Sequence, residues 1–407
     1  LIGNIKKYKE PKNETNKKEE EINMPLCLYC NREKEEDQFT REHILPREIG
    51  GALTPTNPFV IHNVCERCNT LSGLFIDGPF VKSWLMHNQR ANNAKKHIKL
   101  SNYTVLPLIY MGILEDFAFG DKICEHWLGP TGDTIYHFHQ PYPKEPDVPP
   151  MVGVPTTAIL KKIDLGFAFL FVRSNNPDWH PAIFNSFVNQ FKGSKLFLGN
   201  GPKPPIPGFE DIPVELQALY SKLVGIQGKR HEVKVTLGVE YSHRFLSKIA
   251  LGLGSLTLNP SFKQSKSATL LRQVMWSKDI TTRQKIEVPR TSFPMDMNGV
   301  QNWQRFLTWQ GGHAIIVINL GGKLALYMNF YEVAGASIMI SNEPEHWSGR
   351  IKEGIVYVIS PGLQKYVGPL NIGALLAHKI VDEYEVPELV KLEQEMAKFG
   401  SLPPFDI

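Results

Sequence analysis

An α+β fold with a small metal-stapled module near the N-terminal end is what this 407-residue sequence predicts, on three observations. Cys27-x2-Cys30 and Cys65-x2-Cys68 put four of the five cysteines at paired spacing. Beyond them, short runs with strand-like patterning are interleaved with stretches of helical period, the pattern of mixed helix and sheet. The chain is also too long for one small core, so two or three domains are expected.

Residues 1–23 are charged and polar, almost without anchoring hydrophobes, and read as a disordered leader that lacks the apolar stretch of a secretory signal. Met24 stands just before the first cysteine pair, so this leader could be an upstream extension. Residues 24–80 should form the compact metal module. A helix is expected around 80–93, within a basic helical linker over 81–99 that carries Lys82, Arg90, Lys95, Lys96 and Lys99. Residues 100–407 read as a larger α+β region, which a boundary near 200–230 could divide into two subdomains.

Within that region, 159–160 and 167–172 read as buried strands, after a proline-rich crossing over 141–155. A second Pro/Gly-rich segment, 201–213, marks a loop or boundary. Residues 231–239 alternate in the strand manner. Over 240–253, Tyr241, Phe245, Ile249 and Leu253 recur at helical spacing and should face a core. Residues 314–320 and 324–330, joined by Gly321-Gly322, form a hairpin, because paired glycines suit the positive φ of a tight turn. Strands follow at 337–341 and 354–360. The end, 372–399, should be helical with a break near Pro387. No internal repeat is visible.

Zinc prefers thiolates, and each C-x2-C turn aims two of them at one ion. Cys27, Cys30, Cys65 and Cys68 together close a tetrahedron with no position left for water. This zinc is therefore expected to be structural, stapling a segment too short to fold on its core alone. With four thiols at metal spacing and only Cys124 left over, the chain fits a reducing compartment, and a cytoplasmic location is the default expectation. No apolar run approaches the length that crosses a bilayer. The formal net charge of +4 is too small to prove a nucleic-acid partner by itself.

Between the cysteine pairs lie Glu42-His43 with Pro46 three residues on, the Gly50-Gly51 turn, Asn57 and Asn63, and Asn69 directly follows Cys68. This arrangement over residues 26–80 resembles the HNH endonuclease family, whose ββα-metal fold binds one divalent ion and cuts phosphodiesters. The resemblance implies a role for each matching residue. His43 would be the general base. Glu42, Asn69 and Asp77 would bind a magnesium or manganese ion through oxygen. Asn63 would orient the base, with Asn57 as the alternative. Arg41, Arg47, Lys82, Arg90, Lys95 and Lys96 could contact phosphates, although a solvated helix face is an equally simple reading of the basic stretch.

Few signals stand out in the remainder. Gly252-Leu253-Gly254-Ser255 lacks the Lys-Ser/Thr ending of a phosphate loop. His243, Arg244 and Lys248 could form a polar cluster on their helix, which is similar to a His-Arg-x-x-x-Lys-Ile helix found C-terminal to the nuclease module of some bacterial HNH proteins. The simpler reading is a core helix with an exposed basic edge. His137 and His139 share one strand face but have no third ligand nearby in sequence, which favours a structural role. His313 and His346 have no assigned role. The scattered tryptophans are expected in cores.

The reading that unites these features is an HNH endonuclease: a zinc-stapled cutting module coupled to a specificity or regulatory region over 100–407. Its substrate would be nucleic acid, most simply DNA, with a role in restriction or anti-phage defence. A homodimer, and an activating ligand or protein partner acting through 100–407, are compatible with it; a membrane partner is not expected. The alternative is a non-catalytic zinc-ribbon nucleic-acid-binding protein with a degenerate HNH site.

Overall fold

The computed structural model describes residues 24–51, 53, 56–98, 100–143, 153–155, 157–200, 207–235, 239–277, 279, 305–331 and 334–398. The leader over 1–23, Lys99 and most of the 141–155 crossing lie outside them.

The N-terminal module follows the ββα order. Strand β1 (Phe39–His43) pairs antiparallel with β2 (Val60–Cys65), with Phe39 opposite Cys65 and His43 opposite Val60. Helix α1 (Glu66–Ser72) starts directly from β2, so Cys65 ends the strand and Cys68 lies on the first turn of the helix. A π-helical turn over Gly73–Asp77 leads into α2 (Gly78–Val81) and α3 (Trp84–Ala94). The helix expected at 80–93 is therefore present, interrupted at Lys82 and Ser83.

A five-stranded sheet follows, ordered β3 (Ile109–Phe119), β4 (Lys122–Leu128), β5 (Thr134–His139), β6 (Phe167–Phe171), β7 (Lys195–Asn200). All pairs are antiparallel except β6 with β7, whose parallel pairing is allowed by the crossover through α5 (His180–Gln190). The strand expected at 159–160 is instead the short helix α4 (Thr157–Leu160), whereas 167–172 corresponds to β6. One face of this sheet packs Ile135, Ala168 and Leu170 against Ile183 and Phe187 of α5. The other packs Tyr136, Phe138 and Phe169 against Leu219 and Leu223 of α6 (Gln217–Gly225). From the strand expected at 231–239, the described residues retain one bridge, Lys234 with Ile113.

Helices α7 (Val239–Thr257) and α8 (Lys266–Trp276) precede the second five-stranded sheet. Its order is β10 (Ala334–Ser341), β9 (Leu324–Phe330), β8 (His313–Asn319), β11 (Gly354–Ser360), β12 (Lys365–Asn371), antiparallel throughout. The β8–β9 hairpin turns through Gly321 at φ 62° and Gly322 at φ 92°, as two left-handed positions require. Helices α9 (Ile372–Ile380) and α10 (Pro387–Ala397) close the fold. The break expected near Pro387 is present: residues 381–386 separate α9 from α10, and Pro387 occupies the first position of α10, where its missing N–H costs nothing.

The two faces of this second sheet bury different partners. Ile316, Val356 and Val358 pack against Leu375 of α9 and Leu389 of α10. Ile315, Leu326 and Ile359 face a larger core that also contains Phe245 and Ile249 of α7, Leu271 and Met275 of α8, and Tyr29, Ile44 and Phe80 of the N-terminal module. The small module thus shares its hydrophobic core with elements more than 160 residues further along the chain. No helix among the described residues is long and apolar enough to cross a membrane.

Candidate active site and its zinc staple

The four thiols converge. Cys27, Cys30, Cys65 and Cys68 place their sulfur atoms within 4.8 Å of one another, a set that suits zinc, since four sulfurs bound at about 2.3 Å stand roughly 3.8 Å apart. The first knuckle closes through Asn31, which takes a left-handed φ of 53°, and through hydrogen bonds from Asn31 N to Cys27 O and from Cys27 N to Arg32 O. The Cys65 N–H points at Cys27 Sγ, 3.3 Å away. The Cys68 thiol and the backbone N–H groups of Cys65, Cys30 and Tyr29 outweigh burial and bring the Cys27 thiol down to about 4, so it is poised to ligate as a thiolate. Helix α8 clamps the same knuckle from outside: Arg272 Nε donates to Leu28 O at 2.7 Å and Trp276 Nε1 to Tyr29 O at 3.0 Å.

Strand alternation then separates the two central residues of the motif. His43 faces the loop that follows β1. Pro46 O accepts from Gly51 N, and a Cβ at Gly51 would lie 1.9 Å from Leu45 O, so only glycine permits this fold-back. The turn brings Gly51 O to 3.0 Å from His43 Nδ1. The carbonyl can only accept, so Nδ1 carries the proton and Nε2 keeps its lone pair. Nε2 is buried and has no hydrogen-bond partner among the described residues. Burial, reinforced by Arg47 and Arg41, lowers the His43 pKa below its ordinary 6.5 and favours the neutral imidazole at neutral pH.

Of the two candidate asparagines, Asn57 is the one beside His43. Its Nδ2 donates to Gly51 O at 2.6 Å and lies 3.5 Å from His43 Nδ1, while its Oδ1 accepts from Phe59 N. Asn63 points elsewhere: its Nδ2 faces Ser255 Oγ of α7 at 3.5 Å, and its Oδ1 is buried without a partner among the described residues. The β2 pleat carries it away from His43, a placement the spacing of the motif did not reveal.

Glu42 faces inward and meets a residue absent from the expected constellation. Lys248 of α7 is fully buried, with Nζ 2.8 Å from Glu42 Oε1, 2.6 Å from Asp77 Oδ2 and 3.1 Å from His43 O. Tyr29 O–H donates to the same Glu42 oxygen at 3.0 Å. Burial opposes the charge on Lys248, but Asp77 and Glu42 outweigh it and hold the ammonium above its ordinary value. Burial pushes Asp77 up to about 6 despite the pull of Lys248. The basic edge expected on α7 is therefore not exposed: Lys248 is enclosed, and Arg244 is buried with Nε donating to Met275 O.

Asn69 does not join Glu42 and Asp77. Its Nδ2 donates to Thr40 Oγ1 at 3.0 Å and to Arg41 O at 3.1 Å, pinning α1 to β1. In this arrangement Glu42, Asn69 and Asp77 do not form an oxygen cage for magnesium or manganese, because the Lys248 ammonium already lies between the two carboxylates. The one sequence signal for Lys248 was its place in the His-Arg-x-x-x-Lys-Ile helix.

The basic residues also divide. Arg41, Arg47 and Lys96 are exposed. Lys82 is half-buried, with Nζ donating to Pro155 O, and burial depresses the pKa of Lys82, Arg90 and Lys95 alike. Three of the six are thus partly packing residues, with their stems along apolar surface.

Comparison with known proteins agrees with this geometry at its N-terminal end. Residues 27–85 match a family model described as HNH endonuclease, a span that runs from the first knuckle to the start of α3. No curated protein and no solved structure matches the chain.

Proposed function

We propose that this chain is an HNH endonuclease that hydrolyses phosphodiester bonds, in DNA, with His43 as the general base. The observation that carries the reading is the state of that imidazole: Nδ1–H held by Gly51 O beside Asn57, Nε2 bare, and the pKa depressed. Such a ring can take a proton from water at neutral pH. The exposed Arg41 and Arg47 stand near enough to disfavour the imidazolium, and from there they would hold the phosphates on either side of a scissile bond. Asn57 acts as a positioning residue, sharing the carbonyl that fixes the ring. Productive binding must uncover Nε2. The family's magnesium or manganese would have to compete with Lys248 for Glu42 and Asp77, so this chain's own chemistry is confined to base, positioning groups and phosphate-binding cations.

One observation favours a second reading. An ammonium between the two carboxylates is what a module that has ceased to bind a catalytic ion would carry, leaving a zinc-stapled nucleic-acid-binding protein. Supercoiled plasmid, linear duplex, single-stranded DNA and RNA, each incubated with magnesium, manganese or chelator, separate the two. Ion-dependent cutting of DNA that chelator abolishes supports the nuclease. Binding without cutting under every ion supports the alternative, and cutting confined to RNA changes the substrate but not the base.

A further inference from the structure

We propose that the first five-stranded sheet holds a second metal centre, a buried structural zinc site formed by Glu125 Oε2, His137 Nδ1 and His139 Nε2. Glu125 on β4 lies directly opposite His137 on β5, and His139, two residues on, shares that face. All three are buried, at 1%, 4% and 0% exposure. The carboxylate is thus the third ligand that the His137-Phe138-His139 stretch lacked, supplied by the neighbouring strand. One donor atom from each lies within 4.8 Å of the others. His139 Nε2 is 3.5 Å and His137 Nδ1 3.8 Å from Glu125 Oε2. Ligands bound at about 2.0 Å to a tetrahedral zinc stand roughly 3.3 Å apart, so a slight contraction would close the site.

The ring tautomers make the argument. His137 Nε2 lies 2.9 Å from Leu165 O, and His139 Nδ1 lies 2.7 Å from Gln140 O. Carbonyl oxygens only accept, so each ring donates outward, and each neutral ring turns a bare lone pair inward. Two lone pairs would then confront a carboxylate oxygen in a dry interior, and His139 Nε2 indeed has no hydrogen-bond partner among the described residues. A metal ion, or a proton shared between a ring nitrogen and the carboxylate, relieves that conflict. An imidazole whose outer N–H is fixed on a backbone carbonyl is the orientation that ligating histidines adopt.

The surroundings complete the site. Tyr142 O–H donates to Glu125 Oε1 at 2.7 Å and Trp127 Nε1 to Oε2 at 3.1 Å, which fixes the carboxylate. Beside it lies a cavity of about 20 Å³ bordered by Tyr142, Gln190, Lys192 and Ser194, room for one water as a fourth ligand but none for a substrate. Two imidazoles and a carboxylate at tetrahedral spacing suit zinc. The ion would staple β4 to β5.

The test uses the full chain purified with zinc and without chelator, measured by elemental analysis and zinc-edge X-ray absorption. The expected result is about two zinc ions per chain, with an absorption shell containing nitrogen or oxygen at about 2.0 Å as well as sulfur at about 2.3 Å. In His137→Ala/His139→Ala, or in the gentler Glu125→Gln, zinc should fall to about one per chain and the shell should become sulfur alone. One zinc with a sulfur-only shell in the unaltered chain would overturn the proposal and leave an imidazolium–carboxylate pair. Zinc with only nitrogen and oxygen neighbours would support this site while removing the four-cysteine staple.

Discussion

At the scale of single residues, the site separates two neighbours on β1 by what each faces. His43 is kept neutral by burial and by Arg47 and Arg41, while Glu42 is locked to Lys248. The enclosed trio has consequences for stability. Removing one member of a buried ion pair strands the others, so Lys248→Met should destabilise the protein by about 3–5 kcal/mol in a urea titration. A change within a few tenths of wild type would mean that Lys248 is solvated after all. Asp77 provides a pH signature. Its folded-state pKa, about 6, lies above the ordinary 3.8, so the folded form binds the proton more tightly. The contribution of Asp77 is therefore greatest below pH 3.8 and is lost as pH rises towards 6. The stability difference between wild type and Asp77→Asn should drift in that direction over this window, and a pH-independent difference would refute the raised pKa.

At the scale of elements, α7 is the part that places a remote side chain in the module. Its approach depends on Gly252, where a Cβ would lie 2.7 Å from Ile44 Cγ1, one residue after His43. Gly254 makes the same allowance for Phe262. In an exposed helix Gly→Ala is stabilising by about 1 kcal/mol. Here the close contact with a buried, branched neighbour reverses the sign, and Gly252→Ala should lower stability by about 1–3 kcal/mol. A raised melting temperature would show that α7 does not press on the loop after β1.

The same scale shows what could be read from the chain and what could not. The knuckles, the Glu42-His43 step and the Gly321-Gly322 hairpin were legible because each is local: fixed spacing, or a φ that only glycine adopts freely. Strands β3 and β4 were not. Glu115 and Asp116 interrupt β3, and Glu125 and His126 interrupt β4, so their alternation is masked by polar residues whose partners lie on other strands. Lys248 and Glu125 were hidden for the same reason. Lys248 meets Glu42 across 206 positions of sequence, and Glu125 meets His137 only once β4 and β5 are in register. Asn57 could be told from Asn63 only through the fold-back at Gly51.

At the scale of the whole molecule, the N-terminal module, α7, α8 and one face of the second sheet form a single core. Stripping zinc should therefore loosen more than the module. Hydrogen exchange with chelator present is expected to show lost protection in α7 and α8 as well as in residues 24–80, since Arg272 and Trp276 hang on the knuckle carbonyls. Loss confined to 24–80 would mean that the shared core is energetically divided. This continuity also gives the larger region a direct route to His43, because the loop that orients it packs on α7 through Ile44 and approaches His313 and Ile359 of the second sheet through Gly50.

The central claim is tested most directly by the rate of plasmid cleavage as a function of pH for wild type and His43→Ala, with zinc content and folding checked in both. The wild-type rate should rise with pH through an apparent pKa below 6.5 and then level, as a base that must be neutral requires. His43→Ala should retain zinc and fold while losing roughly 10²–10⁴-fold in rate, the usual contribution of a positioned general base. Equal cleavage by a folded, zinc-loaded His43→Ala protein would contradict the account.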